Sequence, residues 1–82
     1  MENLTGHYMR YKHAKVKGVV LAHDVDLKTI EIAYWDKYLK ELKIIPYQDH
    51  DRILLHWASL GPTGMSDELL NKIRCGILED IT

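Results

Sequence analysis

The strongest constraint on the fold is a short segment in which apolar and polar residues alternate. In residues 29–34 the apolar side chains Ile30, Ile32 and Tyr34 occupy every second position. Successive side chains of a strand point to opposite faces of a sheet, so this spacing is typical of a strand with one face in a core. The segment predicts a strand, the clearest in the chain.

The first part of the chain extends this strand-like character. Residues 6–34 are rich in Tyr, Val, Ile and Thr, whose branched or aromatic side chains favour strands. The charged side chains change from even-numbered to odd-numbered positions near His13, which indicates a turn there. Asp24 and Asp26 favour a second turn by bonding to nearby backbone. We therefore predict an antiparallel meander of three strands, at about residues 6–12, 16–23 and 28–34.

From Trp35 the apolar spacing changes to that of a helix. Trp35, Tyr38, Leu39 and Leu42 are spaced i, i+3, i+4, i+7, and Pro46 disfavours helix in the residue before it. This pattern predicts a first helix at about residues 36–44.

Two further helices are predicted from capping residues and apolar stripes. Asp49 or Asp51 can cap a helix at about residues 51–60, although a strand at 52–57 is an alternative. Ser66 can cap a third helix at about residues 66–80. We expect a single α+β domain over residues 1–82, with the three helices packed on one face of the meander.

Composition narrows the class of protein. The 82 residues suffice for one core, and a domain of this size gains stability from a partner, so a homodimer is an option. A net charge of -1 argues against a surface built throughout for nucleic acid or anionic membrane. Cys75 is the only cysteine, and neither a signal-peptide-like start nor 18 consecutive apolar residues occurs. We expect a cytoplasmic protein.

The N-terminal segment mixes cations with aromatic side chains. Residues 1–17 carry a local charge of +3, from four basic residues against one acidic residue. Cations pair with phosphates and tyrosines stack on unpaired bases, so this segment suggests nucleic-acid binding. The alternative is a solvated hairpin whose lysines protect a sheet edge. The residues concerned are Tyr8, Arg10, Tyr11, Lys12, Lys15 and Lys17.

Two turns combine histidine with aspartate. Imidazole and carboxylate are ligands for zinc, manganese or iron, so the two turns together could serve a metal-dependent hydrolase. Local capping and turn formation explain the same residues without a metal, and we expect no bound metal or cofactor. The candidate ligands are His23, Asp24, Asp26, Asp49, His50 and Asp51.

Large aromatic residues supply the remaining clue to function. Tyr and Trp dominate binding hot spots, and the sequence contains no convincing catalytic constellation. We therefore expect a small non-catalytic module that binds a protein partner, a regulator or inhibitor of the kind encoded by phages and mobile elements. The predicted partner-binding residues are Tyr8, Arg10, Tyr11, Lys12, Trp35, Tyr38 and Tyr47.

Overall fold

Within residues 2–76 the chain forms one antiparallel sheet of five strands with two short helices. The computed structural model describes residues 2–76, apart from the side chain of Tyr47. The sheet has the strand order β4-β3-β2-β1-β5, so the first four strands form a meander and the fifth returns to pair with the first. The elements are β1 His7–Tyr11, β2 Lys17–Asp24, β3 Thr29–Asp36, β4 Glu41–Asp49, α1 His50–Leu54, β5 Trp57–Pro62 and α2 Asp67–Arg74.

The predicted fold, a three-stranded meander with three helices, is therefore wrong. The first predicted helix, at 36–44, is instead a turn followed by β4. The Asp36 carboxylate accepts hydrogen bonds from the backbone N–H groups of Tyr38 and Leu39, and Lys40 adopts a left-handed φ of 52°. The helical spacing of Trp35 and Leu42 was misleading, because the two residues are cross-strand partners in β3 and β4.

Pro46 has a different role from the helix stop that the sequence suggested. It lies in β4, at the edge of the sheet, where two residues of β4 oppose one residue of β3 between the pairs Ile30–Gln48 and Ile32–Ile45. A proline lacks a backbone donor, and a bulge on an edge strand is where a sheet tolerates one.

The second predicted helix, at 51–60, is also wrong beyond its first turn. Asp49 caps α1 by accepting from the N–H of Asp51, and α1 ends at Leu54. From Trp57 the chain is a strand, because the backbone of β5 finds its hydrogen-bond partners on β1. The pairing joins residues about fifty positions apart, which local periodicity does not reveal.

The third predicted helix is shorter than expected. Ser66 caps α2 as predicted, with its hydroxyl accepting from the N–H of Leu69 at 3.2 Å. The helix ends at Arg74, and Gly76 has the left-handed φ of 77° that follows many helix C-termini. The remainder of the predicted range, 77–80, lies outside the described residues.

The sheet is strongly curled. Tyr34 on β3 and Trp57 on β5 are separated by two intervening strands, which in a flat sheet would place them about 14 Å apart. Their ring centroids are only 5.8 Å apart. Bulges in β2, at Leu21, and in β5, at Leu60, coincide with this curvature.

Curling gives the sheet an inner and an outer face, and each is covered by a different helix. Met9, Val20, Ile30, Ile32, Trp57 and Ile53 of α1 form the inner apolar cluster. Val19, Leu21 and Ala33 pack on the outer face against Leu70 and Ile73 of α2. The prediction that the helices share one face is therefore wrong. None of the helices in residues 2–76 is long and apolar enough to cross a membrane.

An ion pair fixes the end of α2 on the outer face. Glu31 is buried on β3, on the face of the strand opposite Ile30 and Ile32. Its Oε1 atom accepts from Nε and Nη2 of Arg74, at 2.9 and 2.8 Å. Arg74 thus neutralises a carboxylate that α2 removes from water.

Candidate functional site

An aromatic pocket opens at the end of the curled sheet where β1 ends and β5 begins. It has a volume of about 230 Å³. The Trp57 ring lies 5.1 Å from Tyr11 and 5.8 Å from Tyr34, both in tilted arrangements. We call this cavity the aromatic pocket; its lining residues are Tyr11, Val16, Tyr34, Ile45 and Trp57.

Gly18 makes room for the tryptophan of this pocket. A Cβ atom at residue 18 would lie 2.7 Å from the carbonyl oxygen of Ala33 and 3.4 Å from Cζ3 of Trp57. The absent side chain therefore permits both the close approach of β3 and the packing of the indole. Trp57 is only 5% exposed, so its ring forms a fixed wall of the pocket.

A second cavity, the basic groove, adjoins the aromatic pocket through the shared residue Val16. Its volume is about 350 Å³, and it is lined by Arg10, Ala14, Lys15, Val16 and Lys17. Arg10 and Lys17 are neighbours across β1 and β2, whereas Lys15 belongs to the intervening loop. Strand alternation places Arg10 and Lys17 on the face of the sheet opposite Met9 and Tyr11, so the basic groove and the aromatic pocket meet only at Val16.

A smaller cavity of about 110 Å³ continues the surface toward the turn between β3 and β4. It shares Val16 and Tyr34 with the aromatic pocket and is also lined by Trp35 and Tyr38. Tyr38 is 88% exposed, and Nζ of Lys37 lies 5.7 Å from its ring centroid. The three cavities thus meet at Val16, which all of them share.

The predicted partner-binding residues are distributed unevenly over this surface. Tyr11 lines the aromatic pocket and Arg10 the basic groove, and Trp35 and Tyr38 line the smaller cavity. Lys12 is exposed in the β1–β2 loop, with its Nζ bonded to the carbonyl oxygen of Leu54 at 3.3 Å.

Like Lys12, Tyr8 is not part of the lining of the three cavities. Tyr8 is exposed on β1 and pairs with Val19, whose side chain lies on the outer face. The side chain of Tyr47 lies outside the described part of the structure.

Sequence reasoning did not assign Tyr34, Ile45 or Trp57 to the site. The alternation in β3 places Tyr34 on the same face as Ile30 and Ile32, so the sequence pattern could have identified Tyr34. Trp57 was assigned to a helix, so its position opposite Tyr11 could not be inferred.

The two Asp/His turns meet through their histidines. Nε2 of His23 lies 3.0 Å from Nδ1 of His50, and both side chains are buried. The backbone N–H of Leu4 donates to Nδ1 of His23 at 2.9 Å, so the single proton of a neutral His23 must be on Nε2. This proton is donated to His50, whose Nε2 lies 3.3 Å from Oδ1 of Asp51.

This network favours neutral imidazole at His23. Burial, followed by the facing His50, lowers the pKa of His23 below its ordinary value, and the nearby Asp24 opposes the shift. The other aspartates serve the backbone: Asp24 accepts from the N–H of Leu27, and Asp49 caps α1.

The arrangement leaves little capacity for a metal at these turns. Both nitrogens of His23 have partners, as do both nitrogens of His50. Within residues 2–76, no three His, Cys, Asp or Glu side chains converge as a metal-ligand group. Asp26, the remaining candidate ligand, is exposed and belongs to no such group among the described residues.

Comparison of the chain with protein-family models, with curated proteins and with solved structures found no match.

Proposed function

We propose that this protein is a non-catalytic interaction module, a regulator or inhibitor, that binds an acidic segment of a partner protein. One large apolar side chain of that segment occupies the aromatic pocket, and its acidic residues lie along the basic groove. The observation that carries the proposal is the contact between these two cavities at Val16.

The size of the aromatic pocket supports a single anchoring side chain. Sites for small-molecule ligands and cofactors usually measure about 300–1,000 Å³. The pocket, at about 230 Å³, is smaller than these. Pockets lined by tyrosine and tryptophan are typical of protein-binding hot spots, where one residue contributes much of the affinity.

The charge distribution supports an acidic ligand. The whole chain has a net charge of -1, yet Arg10, Lys15 and Lys17 line one groove. Local charge of this kind attracts an oppositely charged partner and orients it on approach. The aromatic pocket then supplies the desolvated contact that surface ion pairs alone lack.

Single-stranded nucleic acid is the second candidate. It is favoured by the aromatic ring of Tyr11 and the three cations, which line cavities that meet at Val16, because bases stack on aromatic rings and phosphates pair with lysine and arginine. The small number of cations and the depth of the Trp57 wall favour protein instead. A low-salt gel shift with single-stranded probes tests this candidate, and an absence of binding removes it.

Selection from a displayed random-peptide library tests the leading proposal. We expect enrichment of peptides that combine Asp or Glu with one large apolar residue. Val16→Glu places a charge where the three cavities meet, and Lys15→Glu reverses one charge of the groove; both should abolish the enrichment. Lys72→Glu on the exposed side of α2 is the matched control. Failure to enrich acidic peptides, or enrichment that survives Val16→Glu, would overturn the proposal.

The cytoplasm is the proposed location. Cys75 is an exposed free thiol in the described structure, which suits a reducing compartment.

A further inference from the structure

A second pair of histidines lies at the surface, between the β1–β2 loop and the residues that precede β5. Nε2 of His13 is 2.9 Å from Nδ1 of His56, with the ring centroids 5.1 Å apart. Both side chains are exposed, unlike those of His23 and His50. Solutes therefore have direct access to the two nitrogens.

The backbone holds these two histidines in place. The N–H of Lys12 donates to the carbonyl oxygen of His56 at 2.8 Å, which ties the β1–β2 loop to the segment before β5. The N–H of His56 donates to the carbonyl oxygen of Ile53 at 3.0 Å. On the other side, the His13 ring packs against Tyr11 in an edge-on arrangement at 5.2 Å. The pair is thus supported by three separate contacts.

The separation of the two nitrogens matches that of ligands on one metal ion. Imidazole nitrogen binds zinc at about 2.0–2.1 Å, so two nitrogens at 90° are about 2.9 Å apart and two at the tetrahedral angle about 3.4 Å. The observed 2.9 Å equals the first value and reaches the second after a shift of about 0.5 Å. We propose that His13 and His56 form a binding site for a divalent transition metal of the Zn²⁺, Ni²⁺ and Cu²⁺ class.

The free pair must exchange one hydrogen bond for two metal bonds. A proton on one ring nitrogen now lies between the two rings. With metal bound, His13 carries its proton on Nδ1 and His56 on Nε2, so both rings stay neutral and no proton leaves the site. Only the ring that donates the present hydrogen bond changes tautomer, and the total number of protons is conserved.

The site supplies two ligands and leaves the other coordination positions open. No third His, Cys, Asp or Glu joins the pair in the part of the chain that the structure describes. Water completes the coordination, and the positive charge of the adjacent Lys12 reduces the affinity. Binding is therefore weaker than at a closed structural zinc site, and it does not depend on the function proposed above.

Titration of the untagged protein with Zn²⁺ and with Ni²⁺ tests the site. Calorimetry should show one saturable site per chain, and the NMR signals of the His13 and His56 rings should shift together. His13→Ala and His56→Ala should each weaken binding by about tenfold or more. His7→Ala is the matched control, since His7 also presents a ring nitrogen near the surface but bonds to Ser59.

Thermal unfolding provides a second readout. A metal that bridges the two segments should raise the Tm of the native protein, and EDTA should reverse the rise. His13→Gln retains a polar side chain and lacks the imidazole ligand, so it should remain folded and show no metal-dependent rise. The proposal is overturned by an absence of saturable binding, or by binding that His13→Ala and His13→Gln leave unchanged.

Discussion

Nε2 of His23 lies 3.0 Å from Nδ1 of His50 in the interior of the protein, where the two histidines join β2 to α1. The N-terminal segment is part of the same network. Leu4 donates its N–H to His23, Asn3 donates its side-chain amide to the His23 carbonyl oxygen, and the hydroxyl of Thr5 accepts from the His23 N–H. A single side chain thus connects three parts of the fold, but only while it is neutral.

The first prediction concerns the pH dependence of stability. The pKa of His23 is lower in the folded state than its ordinary value near 6.5 in the unfolded chain, so the unfolded state binds more protons on acidification. The contribution of His23 to the free energy of unfolding is present above about pH 6.5 and is lost as the pH falls below it. Urea unfolding between pH 7 and pH 5 should show this loss.

A comparison with His23→Gln separates the effect of His23 protonation on the free energy of unfolding from the effect of carboxylate protonation. Gln does not titrate, so the decline in the free energy of unfolding between pH 7 and pH 5 should be shallower in this variant. His7→Gln should retain the native slope. Equal slopes in the native protein and His23→Gln would show that protonation of His23 does not drive the decline.

The second prediction concerns the ion pair between Glu31 and Arg74. Arg74→Ala leaves a buried carboxylate without its partner, a change that costs about 1–3 kcal/mol. Arg74 is itself partly exposed, so the lower half of this range is expected. Lys72→Ala removes only an exposed i,i+4 pair with Glu68 and should cost less than about 0.5 kcal/mol. Denaturant unfolding of both variants is the measurement, and equal losses would contradict the assigned role of Arg74.

The third prediction concerns Gly18. In Gly18→Ala the new methyl group would approach the backbone oxygen of Ala33 at 2.7 Å, so β2 and β3 must move apart. Overpacking of this kind costs about 1–3 kcal/mol. The neighbouring Lys17→Ala, at an exposed position, should stay within about 0.5 kcal/mol of the native protein. Thermal unfolding of the two variants is the measurement. A Gly18→Ala variant as stable as the native protein would refute the close approach of β2 and β3 at Gly18 and Ala33.

The sequence predicted the part of the fold that depends on local patterns. The alternation at Ile30, Ile32 and Tyr34 correctly indicated a strand, and Ser66 correctly indicated the start of α2. The spacing of Trp35 and Leu42 fits a helical stripe and a cross-strand pair equally well. Local periodicity could not choose between them, because the deciding hydrogen bonds are formed with a strand elsewhere in the chain.

The candidate site was predictable only in part for the same reason. Tyr11 and the nearby cations were recognised from their composition, since they are close in sequence. The aromatic pocket requires Trp57 to pack beside Tyr11 and Tyr34, and this follows from the pairing of β5 with β1 and from the curl of the sheet. Long-range pairing of this kind has no local sequence signature.

The position of a bound acidic peptide distinguishes binding at the aromatic pocket from binding at any other surface of the protein. An NMR titration of the labelled protein with a library-selected peptide should shift signals around Tyr11, Val16, Tyr34 and Trp57, together with those of the basic groove. Tyr11→Ala should weaken binding by about tenfold or more, as for a hot-spot residue, whereas Tyr8→Ala on the same strand should not. Shifts confined to α2 or to the outer edge of β4, with Tyr11→Ala binding as tightly as the native protein, would show that the aromatic pocket is not the binding site.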